Sequence, residues 1–453
     1  MERFFKMKER GTDVRTETVA GITTFMTMAY ILAVNPNILS AAGMDAGAVF
    51  TATALASAVS TLAMALFANL PLALSAAMGL NAYFAFQVVL VMGYTWQQAL
   101  AAVFVEGLIF IALSLTNARA AIFNAIPKEL KAAVSVGIGF FICFVGMQNA
   151  HIVVDAPTLV KTFPFGASFA NGTFRSDGVT VLLALLGIMV TAALMRKAVK
   201  GAVLWGIIIT WGMGMACQIA GLYVPDPAHG FFSLFPSAIA SMPASLSPTF
   251  MQLDLSSIGS PEFITILLAF LFVDMFDTIG TVIGCVSQAN LLDEKGNLPQ
   301  IGRVFMADAV GTTVGALLGT STVSAYVESS AGIAEGGRTG FASVVTALFF
   351  LLALFFSPLF LAVPAFATAP ALFIVGFLMM RQVKDIDWFS DCAEAVPAFI
   401  SIAAMGFMYS IADGISFGII YYTVLNILAG RRDRLAPLMY VLTALFILKY
   451  IYL

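Results

Sequence analysis

AFLFVDMFDTIGTVIG, residues 269–284, carries two carboxylates, Asp274 and Asp277, in an apolar run with no other charge from Ile264 to Gln288. Read as a helix, Asp274, Asp277 and Thr281 fall one turn apart along a single face. A carboxylate at the centre of a bilayer costs about 2.5–3.5 kcal/mol on insertion scales, so such residues face a cavity and carry function. Further along, residues 320–340 read TSTVSAYVESSAGIAEGGRTG: a small, β-prone stretch meets Glu328 and then a Ser/Ala/Gly-rich helix start. That is the pattern of a broken membrane segment, which a bilayer tolerates only where the backbone lines a cavity or is buried in protein. A carboxylate helix facing a broken helix is the arrangement of a secondary transporter.

Composition places the rest of the chain around this pair. It has 453 residues, 60% hydrophobic and 10% charged, with a mean hydropathy of +0.96, and many separate apolar stretches of membrane-spanning length. Segments are expected near 18–36, 48–69, 71–92, 97–116, 132–150, 178–195, 201–222, 262–285, 304–319, 320–337, 341–358, 365–380, 394–411 and 413–429, with the third and tenth interrupted. These fourteen crossings, started inside, put nineteen of the 22 Lys and Arg residues on the cytoplasmic side; only Lys161 and Arg175 fall outside, and Lys449 lies in the tail. The positive-inside rule supports that topology, with a cytoplasmic N-terminus in a cytoplasmic membrane. Of two apolar pieces outside the fourteen, FFSLFPSAIASM (231–242) reads as a short helix lying in the interface, and 435–451 as a similar interfacial helix or a fifteenth crossing.

Fourteen segments divide into two sevens of opposite orientation, and the third of each seven is the irregular one. PLALSAAMGLNAYFAF (71–86) has Pro71, Gly79 and Asn81 where a lipid-facing helix would carry leucine, and STVSAYVESSAGIAEGG (321–337) is its counterpart. Interrupted segments at matching places in inverted halves point to a binding site at the midplane. The expected fold is therefore all-α, with short strands in segments 3 and 10.

The site residues follow from that placement. Asp277 is the leading candidate to accept hydrogen bonds from a polar planar ligand or exchange a proton with it, while Asp274 fits a helix-packing role as well. Glu328 precedes a helix start, where the dipole favours its charge and burial disfavours it, which makes it the first proton-carrier candidate. Asn81 offers donor and acceptor to an amide-like ring edge, or a helix cap. Tyr326 and Phe84 are placed to stack on a flat ligand. Asp308 either ties the broken segment or relays a proton; Glu106 is similar in weaker context, and Glu335 is expected at the inner mouth, pairing with Arg338 or water. His151 and His229 fall in outside loops and receive no role. Cys143, Cys217, Cys285 and Cys392 are scattered without paired spacing, so they read as packing residues, and no metal or other cofactor is expected. No phosphate-binding Walker signature follows a strand, which argues against ATP-driven transport.

The stretches GITTFMTMAYILAVNP, GMDAGAVFTATALA, GLNAYFAF, FVDMFDTIGT and ESSAGIAEGGRTG, spread over essentially the whole chain, resemble the AzgA-like purine permeases, proton symporters of guanine/hypoxanthine or adenine related to the nucleobase–ascorbate transporters. The resemblance implies a cytoplasmic N-terminus (1–17), a core domain (18–120 and 261–360) and a gate domain (121–260 and 361–453), with a homodimer through the gate familiar for the fold. It implies a purine held between segments 3, 8 and 10, with contacts on Asn81, Asp277 and Glu328. The superfamily's E-x-x-G-H or E-S-I-G-D pattern is here D-T-I-G-T, so Asp277 matches the acid and Thr281 the last polar position. Its Y-x-E matches Tyr326 and Glu328, and its coupling-linked ninth-segment acid matches Asp308. Its N-x-G after the tenth-segment acid is replaced by S-S-A-G. The implied activity is proton-coupled purine import through a lipid bilayer, without nucleic acid; an adenine-specific permease is the alternative. An anion carrier on the same plan would set neutral or cationic groups at the half-helix ends, against the carboxylates found here. An enzyme would need a nucleophile or metal cluster that the sequence lacks.

Overall fold

A computed structural model describes residues 2–115, 127–156, 159–226, 231–289, 291 and 298–452. Arg119, Lys295 and His229 lie outside the described residues. Among the described residues, ten helices are long and apolar enough to cross a membrane, from Val14–Ala41 to Ile411–Leu428. The remaining four expected segments are Pro261–Gln288 (segment 8), the shorter Cys392–Phe407 (segment 13), and the two interrupted ones.

Segment 1 is bent: helix Val14–Met28 gives way at Ala29 and Tyr30 to helix Ile31–Ala41. Pro36 inside the second piece removes a donor from that turn and weakens the continuous ladder. Local chemistry starts several other helices. Asp45, Thr339, Asp391 and Ser410 each accept a backbone N–H at a helix start with their side chains. The Ala393 N–H, with the Arg431 and Arg434 guanidiniums behind it, holds the Asp391 carboxyl below the usual carboxylate range. Glu17, fully buried, accepts from the Arg338, Thr339 and Ala342 N–H groups at 2.8–3.1 Å and so satisfies the start of segment 11 (Gly340–Leu361) from a helix of the other half.

Among the described residues there are four short strands: β1 (Leu74–Ala76), β2 (Val153–Ala156), β3 (Leu159–Thr162) and β4 (Val323–Ala325). β2 and β3 form a hairpin between segments 5 (Lys128–Asn149) and 6 (Asp177–Arg196). β1 and β4 belong to segments 3 and 10 and pair antiparallel, with Leu74 opposite Ala325, Ser75 opposite Ser324 and Ala76 opposite Val323. Each strand is followed by a short helix, Met78–Ala82 continued by π-turns over Tyr83–Val91, and Ser329–Ala334.

Helix packing repeats with the sign of the inversion. Segment 4 (Trp96–Leu115) packs on segment 9 (Ile301–Leu318) as segment 11 packs on segment 2 (Ala46–Phe67), and segment 1 packs on 11 as 8 packs on 4. Likewise segment 6 meets segment 12 (Ala365–Met379) as 13 meets 5, and segment 7 (Ala202–Ile219) meets 12 as 14 (Ile411–Leu428) meets 5. The pairing of strands and helices is that of two seven-segment inverted repeats.

Three expectations change. The 231–242 piece forms no helix: Pro236 lacks a donor, and the backbone around it is held by side chains instead. The Trp211 indole donates to the Leu234 carbonyl and the Leu234 N–H donates to Gln218 Oε1. The C-terminal piece is a helix, Pro437–Tyr452, but it runs antiparallel along segment 14 rather than across it, with the Thr443 hydroxyl on Thr423 and the Tyr450 hydroxyl on Asp413. Buried Met439, Leu442 and Phe446 supply the apolar side of that contact. Glu335 pairs with Lys200, not Arg338, whose guanidinium is turned onto the Ile333 and Gly337 carbonyls.

The close crossing of segments 4 and 9 depends on Gly107, where an added Cβ would lie 2.3 Å from Thr313 Oγ1 and 2.8 Å from the Thr313 backbone N. Gly107→Ala is expected to destabilise the protein by about 1–3 kcal/mol, a loss of several degrees in the apparent Tm of the detergent-solubilised protein. Gly212→Ala, where nothing lies within 4 Å, leaves it unchanged or slightly raised.

Candidate functional site

Where the two broken segments cross, a cavity of about 520 Å3 opens between segments 1, 3, 8 and 10 on one side and segments 5 and 12 on the other. Asp277, Thr281, Tyr326 and Glu328 line it, and it extends to the face bearing the N-terminus, where Met195, Arg381 and Gln382 form its rim. The opposite wall is largely apolar: Ile138 and Ile142 from segment 5, with Ser135 beside them, and Val375, Leu378 and Met379 from segment 12.

Strand periodicity explains which side chains of segment 10 reach this space. In an extended chain alternate residues share a face, which puts Ser324 and Tyr326 on one side, and the turn that follows β4 brings Glu328 into the same cavity. Ser324 Oγ donates to Asp277 Oδ2 at 2.8 Å, and the Tyr30 hydroxyl, at the bend of segment 1, donates to Glu328 Oε1 at 2.6 Å. Each carboxylate is thus oriented by a hydroxyl from a different segment, while both remain partly accessible from the cavity. The Tyr326 hydroxyl is committed to the Ala76 carbonyl at 2.5 Å, which pins one broken segment to the other and leaves its ring as the surface offered to the cavity.

Two expected ligand contacts lie elsewhere. Asn81 is fully buried behind the cavity wall, where its Oδ1 accepts from the Ser321 hydroxyl. The residues just before it, Ala77 to Leu80, line the cavity instead. Phe84, also fully buried, belongs to the apolar core rather than the wall. Asp308 is likewise buried and removed from the cavity: the Thr278 hydroxyl is 3.0 Å from Asp308 Oδ1 and 3.4 Å from Asp274 Oδ1, so these two acids meet between segments 8 and 9. Glu106 accepts from the Thr322 hydroxyl at 2.7 Å. Tyr30 and Ser324 were not singled out in the sequence; the alternation back from Tyr326 was the signal for Ser324, whereas nothing local marks Tyr30.

An inverted repeat with two broken segments meeting beside buried carboxylates defines a membrane transport protein. A model described as the Permease family, of the xanthine/uracil permease type, matches residues 15–429, and the chain belongs to that family. It is a transporter, not an enzyme. The chain is 50% identical to a permease of Methanocaldococcus jannaschii over 100% of its own length and 98% of that protein's. It is 46% identical to the guanine/hypoxanthine permease PbuG of Bacillus subtilis, covering 100% of both, and 40% identical to the adenine permease AdeP of Escherichia coli, covering 100% of this chain and 96% of that one. Among solved structures, the transmembrane domain of the cyanobacterial bicarbonate transporter BicA superposes with a TM-score of 0.62 at 16% identity, covering 89% of this chain and 97% of that one; the two share the fold.

With the four native cysteines replaced, Thr281→Cys is expected to react with a water-soluble thiol reagent within minutes in the membrane. Asn81→Cys and Phe84→Cys should stay unmodified under the same conditions; fast labelling of either would contradict their burial.

Proposed function

We propose that the chain is a proton-coupled symporter that brings purine nucleobases, guanine and hypoxanthine foremost, into the cell across the cytoplasmic membrane, with its N-terminus inside. The observation that carries this reading is the pairing of a carboxylate-bearing wall with an apolar one around a single cavity. A planar ring can lie against Ile138, Ile142, Val375 and Leu378 while its polar edge meets Asp277, which Ser324 holds in place. Thr281 extends that polar edge by one turn, and the Tyr326 ring covers a face of the ligand. The names of the full-length relatives support the substrate class, and the whole-chain match to a guanine/hypoxanthine permease at the higher identity favours oxopurines over adenine.

Coupling follows from the chemistry of Glu328. A proton taken up there neutralises a buried carboxylate whose orientation Tyr30 controls. Loss of that charge lowers the cost of moving segments 1–4 and 8–11, the core, past segments 5–7 and 12–14, the gate. The Lys200–Glu335 ion pair joins the loop before segment 7 to the end of segment 10 at the inner rim, so it must open and close with that movement. Each 100 mV of membrane potential contributes about 2.3 kcal/mol per charge moved, roughly fiftyfold in accumulation. Asp308 and Asp274 stand one layer behind Asp277 and serve as a relay or store for the same proton.

Uptake of radiolabelled hypoxanthine, guanine, adenine and uracil into cells lacking their own nucleobase carriers tests the reading. Protonophore-sensitive uptake of hypoxanthine and guanine is the expected result; adenine alone would move the assignment to the other specificity. Asp277→Ala and Glu328→Ala should each lower uptake about a hundredfold or more, the scale of losing a charged hydrogen-bond partner. Glu328→Gln should retain substrate exchange in counterflow while losing protonophore-sensitive accumulation; retained accumulation would exclude Glu328 as the proton carrier.

A further inference from the structure

A second cavity, of about 430 Å3, lies at the opposite face of the bundle from the inner rim. Its volume falls within the about 300–1,000 Å3 of small-molecule pockets. It sits between the far end of segment 1 at Asn37, the end of segment 5 at Asn149 and His151, and the 231–234 stretch that covers it. Among its described lining residues there is no Asp, Glu, Lys or Arg, in contrast to the central cavity. Its polar side chains are the carboxamides of Asn37 and Asn149, the His151 imidazole and the hydroxyls of Thr180, Ser233 and Tyr223, all uncharged groups that can donate and accept, and its other prominent surfaces are the rings of Tyr223, Phe231 and Phe232.

The site is built rather than incidental. The cover is held from below: the Tyr223 hydroxyl donates to the Phe232 carbonyl at 2.7 Å, while Trp211 and Gln218 hold the backbone of Leu234. Asn37 Nδ2 donates to the Val363 carbonyl at 3.1 Å, which fixes the plane of its amide. His151 keeps a left-handed backbone at φ 55°, a conformation that costs free energy in a non-glycine residue and concentrates at binding sites.

Both cavities lie along segments 5 and 12. From Ile142 to Asn149 is seven residues and from Val375 to Phe366 nine, so roughly 10–14 Å of helix separates them. Between them the two helices close on each other at Gly146, where a Cβ would meet Leu372 Cβ at 2.9 Å and the Ala369 carbonyl at 3.1 Å. The second cavity is therefore in line with the first, beyond a constriction.

We infer that this outer cavity is a docking site for a neutral planar heteroaromatic base, which waits there before passing the constriction to Asp277. Ring faces and carboxamide edges without a fixed charge suit an uncharged purine, and the inference rests on the purine reading of the central site. Asn149 is the group expected to read the base edge.

Equilibrium binding of radiolabelled hypoxanthine to the purified full-length protein in lipid nanodiscs tests it. Wild type should bind two molecules per chain, and Asp277→Ala should keep the weaker one. Adding Asn149→Leu should then weaken that remaining binding about tenfold or more, while Asn149→Gln, which keeps the amide, should restore part of it. Asn149→Leu alone should still bind one molecule at the central site, which reports that the variant is folded. One molecule per chain in wild type with none in Asp277→Ala would overturn the outer site, as would residual binding indifferent to Asn149→Leu. A wild type that binds no purine base at all would instead overturn the purine reading, and this inference with it.

Discussion

The structure depends on satisfying a short extended backbone inside an apolar bundle. Residues 321–324, STVS, have no helical hydrogen bonds to turn to, and every unsatisfied amide there would cost several kcal/mol. The strand pair β1–β4, the Ala77 N–H on the Thr322 carbonyl and the Thr312 hydroxyl on Val323 answer the backbone, while side chains from neighbouring segments engage the hydroxyls of the stretch. Asn35 of segment 1 donates to Thr320; Asn81 of segment 3 accepts from Ser321, Glu106 of segment 4 from Thr322 and Asp277 of segment 8 from Ser324. Thr312 of segment 9 bonds to both backbone groups of Val323, and Thr53 of segment 2 holds Asn35. The broken segment is the hub on which its neighbours converge.

That constraint also creates the site. A continuous helix would cover its own carbonyls and present a closed surface, whereas the strand exposes alternate side chains and is followed by a turn that sets Glu328 at a new helix start. The inverted repeat brings the corresponding break of segment 3 to the same level, so the cavity lies where both are interrupted. Segments 5 and 12 close it from the other side with aliphatic side chains and meet each other at Gly139 and Gly376, each glycine against the other's carbonyl. Small residues at that crossing let two backbones approach as one continuous wall.

Much of this was legible beforehand, for identifiable reasons. A carboxylate in a membrane helix is so costly that its presence alone marks a site, and Asp277 and Glu328 do face the cavity. Broken segments announce themselves by small residues and proline, and both appear at the expected places. Asn81 was marked by an equally unusual polarity, and the structure places it behind the cavity wall, accepting from the Ser321 hydroxyl. The 231–242 stretch misled because amphipathic composition is compatible with either a helix or an extended cover, and Trp211 and Gln218 select the latter from a distance.

The sequence by itself determined the membrane setting, the number and order of the segments, and the doubled plan with its two breaks, because each of these is a local property of composition, period or desolvation cost. Only the tertiary structure decided which partner each polar group meets. Tyr30 on Glu328, Ser324 on Asp277 and Lys200 on Glu335 are contacts between residues 47 to 298 positions apart in the chain, and no local pattern encodes them. Hydrogen-bond direction and helix rotation arise from how the two halves pack, and that packing is a property of the whole bundle.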